Sequence, residues 1–133
     1  MSQENVDLMR RAYEAFGQGD LDTVFQIVDP EIELEDHREL PDAGSYKGHQ
    51  GLLEAVANQA RVWDDWRLIP ERFVPVRDDT VVVLHKQAGR SKATGLNLEA
   101  PYAHVWTIRG GLAVQLRTYG SWQEGLQAAG VRE

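Results

Sequence analysis

The stretch Asn97-Leu-Glu-Ala-Pro-Tyr-Ala-His-Val-Trp-Thr-Ile-Arg-Gly-Gly-Leu-Ala-Val-Gln-Leu-Arg-Thr-Tyr-Gly-Ser-Trp122 decides the fold. Two runs rich in β-branched and aromatic residues flank Gly110-Gly111, whose members both accept positive φ without a Cβ clash, so the spacing predicts a tight hairpin. Each arm is longer than the ordinary strand of about five or six residues, and long arms favour a strongly curved sheet. In the first arm Tyr102, His104, Trp106 and Ile108 share one face, and Pro101, Ala103, Val105 and Thr107 share the other. Large residues on one side and small ones on the other predict a broad outward packing face and an inner face bordering a space. That space is where a function would sit.

Upstream of the hairpin the pattern is helical, then mixed. Ser2 to Gly17 carries Val6, Met9, Tyr13 and Phe16 at three-to-four spacing, with Ser2 or Asn5 as caps and Gly17 and Gly19 as stops. Asp20 caps a second helix, Leu21 to Val28, ended by Asp29-Pro30. Glu31 to Asp36 alternates as a half-buried strand, with Ile32, Leu34 and, by parity, Asp36 on the apolar side. A polar loop, His37 to Gly51, leads to a third helix, Leu52 to Trp63. Trp66 to Val76, interrupted by Pro70 and Pro75, reads as an edge or bulged strand, and Thr80 to Gln87 as the most β-prone segment. Gly89 to Gly95 is a flexible tip, and Ser121 caps a last helix, Trp122 to Ala129. The expected architecture is one α+β domain over residues 1–133, with three N-terminal helices packed on one strongly curved, mostly antiparallel sheet in a cone.

Composition narrows the function classes. A 42% hydrophobic and 26% charged chain of 133 residues can bury a core, so disorder is not expected. A net charge of −7 with no Lys/Arg cluster argues against nucleic acid. The absence of cysteine removes disulfides, thiolate metal sites and cysteine nucleophiles. Acidic Glu4 and Asp7 near the N-terminus do not resemble a secretory signal, and no apolar run approaches the ~20 residues a membrane span needs. A cytoplasmic protein without membrane association is expected.

Four segments carry a family resemblance: Arg11-Ala-Tyr-Glu-Ala-Phe-Gly-Gln-Gly-Asp-Leu-Asp22, Ile32-Glu-Leu-Glu-Asp36, Tyr46-Lys-Gly-His-Gln-Gly51 and His104-Val-Trp-Thr-Ile-Arg-Gly-Gly111. Together they resemble the SnoaL-like branch of the nuclear-transport-factor-2-like superfamily over nearly the whole chain. The resemblance implies the conical fold and a homodimer. It spans ketosteroid isomerases, polyketide cyclases, epoxide hydrolases, dehydratases and proteins without activity, so it fixes no reaction.

Asp36 is the sharpest candidate for chemistry. The Leu-Glu-Asp strand end resembles the place where ketosteroid isomerases keep their general base, and a carboxylate on an apolar face is pushed toward a higher pKa. The plainer alternative is a strand-end aspartate that holds the following loop. Two departures matter. The oxyanion pair of the isomerases falls on Ala103 and one residue away from Tyr13. The acid of the cyclase-like Arg-Asp-Tyr strand is replaced in Leu116-Arg117-Thr118-Tyr119 by Thr118. His37 follows Asp36 as a possible proton shuttle; His85 and His104 read more simply as cross-strand or interface residues, and His49 as a surface or capping residue. The four histidines show no metal-ligand spacing, so neither metal nor cofactor is expected.

The resulting expectation is a small-molecule pocket. Asp36, Tyr13 and His37 would act in proton transfer on a small apolar molecule, lined by Ile32, Leu34, Trp66, Ala103, Val105 and Thr118. The aromatic face bearing His104 and Trp106 would be covered by a second copy of the chain. Three functions stay open: an isomerase, cyclase or hydratase-type enzyme; a binding protein for a hydrophobic ligand; and a dimeric interaction module with a filled cone.

Overall fold

A computed structural model describes residues 2–37 and 43–131. Its elements run α1 (Ser2–Gly17), α2 (Leu21–Ile27), β1 (Val28–Asp36), β2 (Ser45–Lys47), α3 (Gly48–Val62), β3 (Trp63–Val76), β4 (Thr80–Ser91), β5 (Asn97–Arg109), β6 (Leu112–Tyr119) and α4 (Trp122–Ala128). The six strands form one curled sheet in the order β2-β1-β6-β5-β4-β3. Neighbours pair antiparallel except β1 and β6, which run parallel, the chain between them supplying the long crossover that such a pair needs. The α+β cone is as the sequence predicts. At its centre the β5–β6 hairpin turns on Gly110 (φ 59°) and Gly111 (φ 78°), both in the left-handed region.

The cone has two differently filled sides. Inside, α1 lays Val6, Met9, Ala12 and Tyr13 against Ile32, Leu34, Val81, Val83, Trp106 and Ile108. Met9 and Ile32 have no exposed surface, and each such side chain contributes about 1.5–3 kcal/mol by leaving water. Outside, α4 brings Leu126 and Ala129 onto Val82, Leu84 and Ala103. The approach is close: a Cβ added at Gly125 would collide with the Ala103 Cβ.

This arrangement reverses the two faces of β5. His104 and Trp106, expected on an outer surface, are buried inside the cone under α1, each only 7% exposed. The side expected to meet a partner chain is therefore filled by the chain's own first helix. Ala103 and Val105, expected to border the space, face outward under α4. Small residues lie outside because the α4 backbone must come within contact distance of the sheet there. Large ones lie inside because the curled sheet opens a volume that only aromatic rings fill.

Other boundaries move modestly. β1 begins at Val28, so Pro30 sits within it instead of before it. The region expected as a loop over His37–Gly51 contributes β2 and the first turn of α3, while residues 38–42 lie outside the described residues. β4 continues through Gly89 and Arg90 to Ser91, narrowing the expected tip to a short turn. A bulge between Asp64 and Arg67, with Asp65 at φ 57°, interrupts β3. Asp20 and Ser121 cap α2 and α4 as expected, accepting from Thr23 N–H (3.2 Å) and Glu124 N–H (3.1 Å). Asn5 is no cap; its amide donates to the Asp78 carbonyl at 2.8 Å.

Candidate functional site

The sheet register brings the polar inner residues into one row. Asp36 on β1 pairs with Thr118 on β6, and Thr118 pairs with His104 on β5. Neighbouring strands lie about 4.8 Å apart, so the backbones of Asp36 and His104 stand about 10 Å apart with Thr118 between them. Leu34 and Leu116 form the next row toward the closed side, paired with each other and, through Leu116, with Trp106.

Asp36 is half-buried at the end of β1. Burial pushes its carboxyl above the usual value near 3.8, while the Gly44 N–H and the Thr118 side chain favour the charged form and oppose that rise. The Gly44 amide reaches Asp36 Oδ2 at 3.3 Å, and the Asp36 amide donates to the Gly44 carbonyl at 3.0 Å. Asp36 thus has the loop-holding bond of the plainer reading as well as the desolvated position of the catalytic one. It also lines an open cleft of about 620 Å3 with His37, Gly44, Arg117 and Tyr119.

Deeper in the cone, Tyr13 is the hub. Trp106 Nε1–H donates to its hydroxyl at 2.8 Å, and the hydroxyl lies 2.5 Å from His104 Nδ1. Burial holds the Tyr13 phenol far above its usual range, the Trp106 bond acting against this. His104 lies against His85, with ring centroids 4.0 Å apart and planes tilted by 37°. Burial lowers His85 to about 4, and burial followed by repulsion from His85 takes His104 well below its usual 6.5. Both imidazoles are neutral at physiological pH.

The expected site residues therefore divide. Tyr13, Ile32, Leu34, Asp36 and Thr118 share the inner face. Ile32 and Leu34 are core residues there, 0% and 5% exposed. His37 turns away: its backbone amide bonds the Thr118 carbonyl at 2.8 Å and its ring lies 5.4 Å from the Tyr119 ring, at the outer cleft. Trp66 packs edge-on to Phe16 further along β3, with its Nε1 buried and without a partner among the described residues. Ala103 and Val105 are on the opposite face. His85 and His104, expected as cross-strand or interface residues, are buried on the inner face with Val83 and Trp106, from which each is spaced by two. His49 is neither free nor a cap, since its Nε2 bonds the Val28 carbonyl at 2.8 Å and joins α3 to β1.

A second open cleft, about 550 Å3, lies at the far end of β3–β5 between Asp64, Arg67, Arg90 and Glu99. Its charges are largely matched, as in the 3.2 Å Arg90–Asp64 pair. Among the described residues no three His, Asp or Glu side chains gather as a metal site requires, and no helix is long and apolar enough to cross a membrane.

A single curled six-stranded sheet with helices packed on it is the α+β cone of the nuclear-transport-factor-2-like superfamily. Within that class the chain belongs to the SnoaL-like domain family, whose profile matches residues 9–116. Among solved structures it is similar to a nuclear-transport-factor-2-like protein from Burkholderia xenovorans (26% identity, 97% of this chain and 98% of that one, TM-score 0.72). It is similar also to a SnoaL-like polyketide cyclase, so described, from Jannaschia (16% identity, 99% and 95% covered, TM-score 0.76). A third is a ketosteroid isomerase-like fold from Catenulispora acidiphila, in complex with trimethylamine (14% identity, 94% and 93% covered, TM-score 0.72). No protein of curated function matches significantly.

Proposed function

We propose that the protein acts on a small, mainly apolar molecule by proton transfer, in the manner of an isomerase, cyclase or hydratase, with Asp36 as the base. The observation that carries this reading is the half-buried Asp36 carboxyl, raised by desolvation, in one row with Thr118 and His104. A base works best with a pKa approaching the working pH, and burial moves Asp36 in that direction. The row supplies polar groups on both sides of a small substrate, and Leu34 and Leu116 supply its apolar floor. Thr118 steadies the carboxylate without titrating itself.

Loss of α-C–H signal from 2-tetralone in D2O, followed by proton NMR, tests this. Wild-type protein should accelerate exchange over buffer, and Asp36→Asn should remove most of a general-base contribution of about 10²–10⁴-fold while leaving binding intact. Binding without accelerated exchange in the wild type would transfer the pocket to the second reading, sequestration of a hydrophobic ligand. That reading is favoured by Thr118 standing where the cyclase-like strand has an acid.

A further inference from the structure

The outer face of the β1–β6 pair carries its own set of polar groups. Side chains alternate along a strand, so the parity that turns Ile32 and Leu34 inward turns Glu35 outward. Cross-strand partners share a face, and Glu35 is registered with Ser45 on β2 and with Arg117 on β6. Tyr119, two residues beyond Arg117, packs on the outer cluster under α4, and the His37 ring lies beside it. With Ala43 and Gly44 these residues line the open cleft of about 620 Å3. Asp36 borders the same cleft, but its carboxyl is engaged by the Gly44 N–H and Thr118.

Glu35 and Arg117 are the two poles of this cleft. Both are exposed, on adjacent strands whose backbones lie about 4.8 Å apart. No ion pair joins them: among the described residues, every contact within 4 Å between a carboxylate and a cation lies elsewhere. Arg117 therefore presents a planar fork of donors, and Glu35 beside it an acceptor. A ligand of one charge is only half matched here. An anion drawn to Arg117 meets Glu35, a cation drawn to Glu35 meets Arg117, and each like-charge contact opposes binding. A ligand carrying both charges a few bonds apart satisfies the two residues at once. Next to them the His37 and Tyr119 rings, centroids 5.4 Å apart and planes tilted by 37°, form an aromatic flank for a flat side chain.

The geometry points to this outer cleft as a binding site for a free, zwitterionic α-amino acid with an aromatic side chain. Arg117 takes the carboxylate, Glu35 the ammonium group, and His37 and Tyr119 flank the ring. The Ser45 hydroxyl, on the same face, serves as donor to one end or acceptor from the other. The site goes beyond the proposed reaction: it lies on the opposite face from Thr118 and His104, and it stands whether or not Asp36 acts as a base.

L-Phenylalanine and its two single-charge analogues, 3-phenylpropionate and phenethylamine, test it by NMR titration of 15N-labelled protein at neutral pH and constant ionic strength. L-Phenylalanine should give saturable shifts at the amides of Glu35, His37, Ser45 and Tyr119. Its affinity should exceed that of either analogue about threefold to fivefold, the fold-change of one surface ion pair. In Arg117→Gln the amino acid should fall to the level of phenethylamine, and in Glu35→Gln to that of 3-phenylpropionate. Both residues are exposed, so the amide spectrum away from the cleft should report an intact fold in each variant. No saturable shift at millimolar L-phenylalanine, equal affinity for the three compounds, or an affinity indifferent to both substitutions would overturn the inference. Shifts confined to Thr118 and His104 would place the ligand inside the cone and overturn it equally. The three compounds measured on wild type decide the matter even without the variants.

Discussion

The Tyr13 hydroxyl and His104 Nδ1 meet across 91 positions of sequence, and their bond fastens the first helix to the middle of the sheet. Because the same hydroxyl also receives the Trp106 indole, one oxygen satisfies two buried partners. Tyr13→Phe keeps the ring and removes only that oxygen. Two polar groups are then stranded, and destabilisation of about 2–4 kcal/mol follows. Urea unfolding should show a lower midpoint with an unchanged slope; a loss under about 0.5 kcal/mol would mean that the network carries little stability.

The two neutral histidines make the protein sensitive to acid. In the unfolded chain a histidine takes up its proton near pH 6.5, whereas folded His85 resists until about 4 and His104 is depressed in the same direction. Between those values the unfolded state binds more protons, so stability rises with pH and falls on acidification. From His85 alone the loss by pH 5 is on the order of 2 kcal/mol. Asp36 has the opposite sign: its raised folded pKa makes the native state the better proton binder in the window above 3.8, so its stability contribution falls as pH rises there. Urea midpoints at pH 7.5, 6 and 5 should decline in order, and the slope should lessen in His85→Gln.

Gly125 is a third point of control. Gly125→Ala places a methyl against Ala103 and should lift α4 from the sheet, costing about 1–3 kcal/mol as overpacking does. Adding Ala103→Gly should recover part of that loss, a coupling that thermal melts of the two single variants and the pair would reveal.

Trp66 offers the contrasting case. Its indole N–H is buried without a partner among the described residues, so Trp66→Phe removes an unsatisfied donor together with some volume. The two effects oppose, and the stability change should stay within about 1 kcal/mol, far below the ~3–5 kcal/mol of an ordinary buried tryptophan truncated to alanine. A larger loss in the melting curve would show that the indole nitrogen has a partner after all.

Much of this architecture is legible from residues alone, because it rests on local chemistry. The Gly110-Gly111 turn, the α1 stripe around Met9 and the Asp20 and Ser121 caps each follow from backbone and side-chain preferences within a few positions. Period-two alternation also groups Ile32, Leu34 and Asp36 correctly. It cannot say which side of a sheet a group faces when helices cover both sides. That is why His104 and Trp106 are expected outside and lie inside, while Ala103 and Val105 do the reverse. Gly125 held the missing clue: a glycine within an amphipathic helix marks a close approach, and the small residues of β5 are its natural counterpart. The Tyr13–His104 bond lay beyond reach for another reason, since it joins residues 91 positions apart that only the fold brings near.

The parallel union of β1 with β6 has a further consequence, for synthesis. The strand that leaves the ribosome first among the six must wait for the one that leaves last, because β6 is what separates β1 from β5 in the finished sheet. Until Leu112–Tyr119 has emerged, the nascent chain has an N-terminal piece of α1, α2, β1 and β2 and a separate meander of β3, β4 and β5, with no ladder joining them. The sheet can therefore close only once β6 has been made, a late-closing topology in which the ladder between the two pieces forms after both.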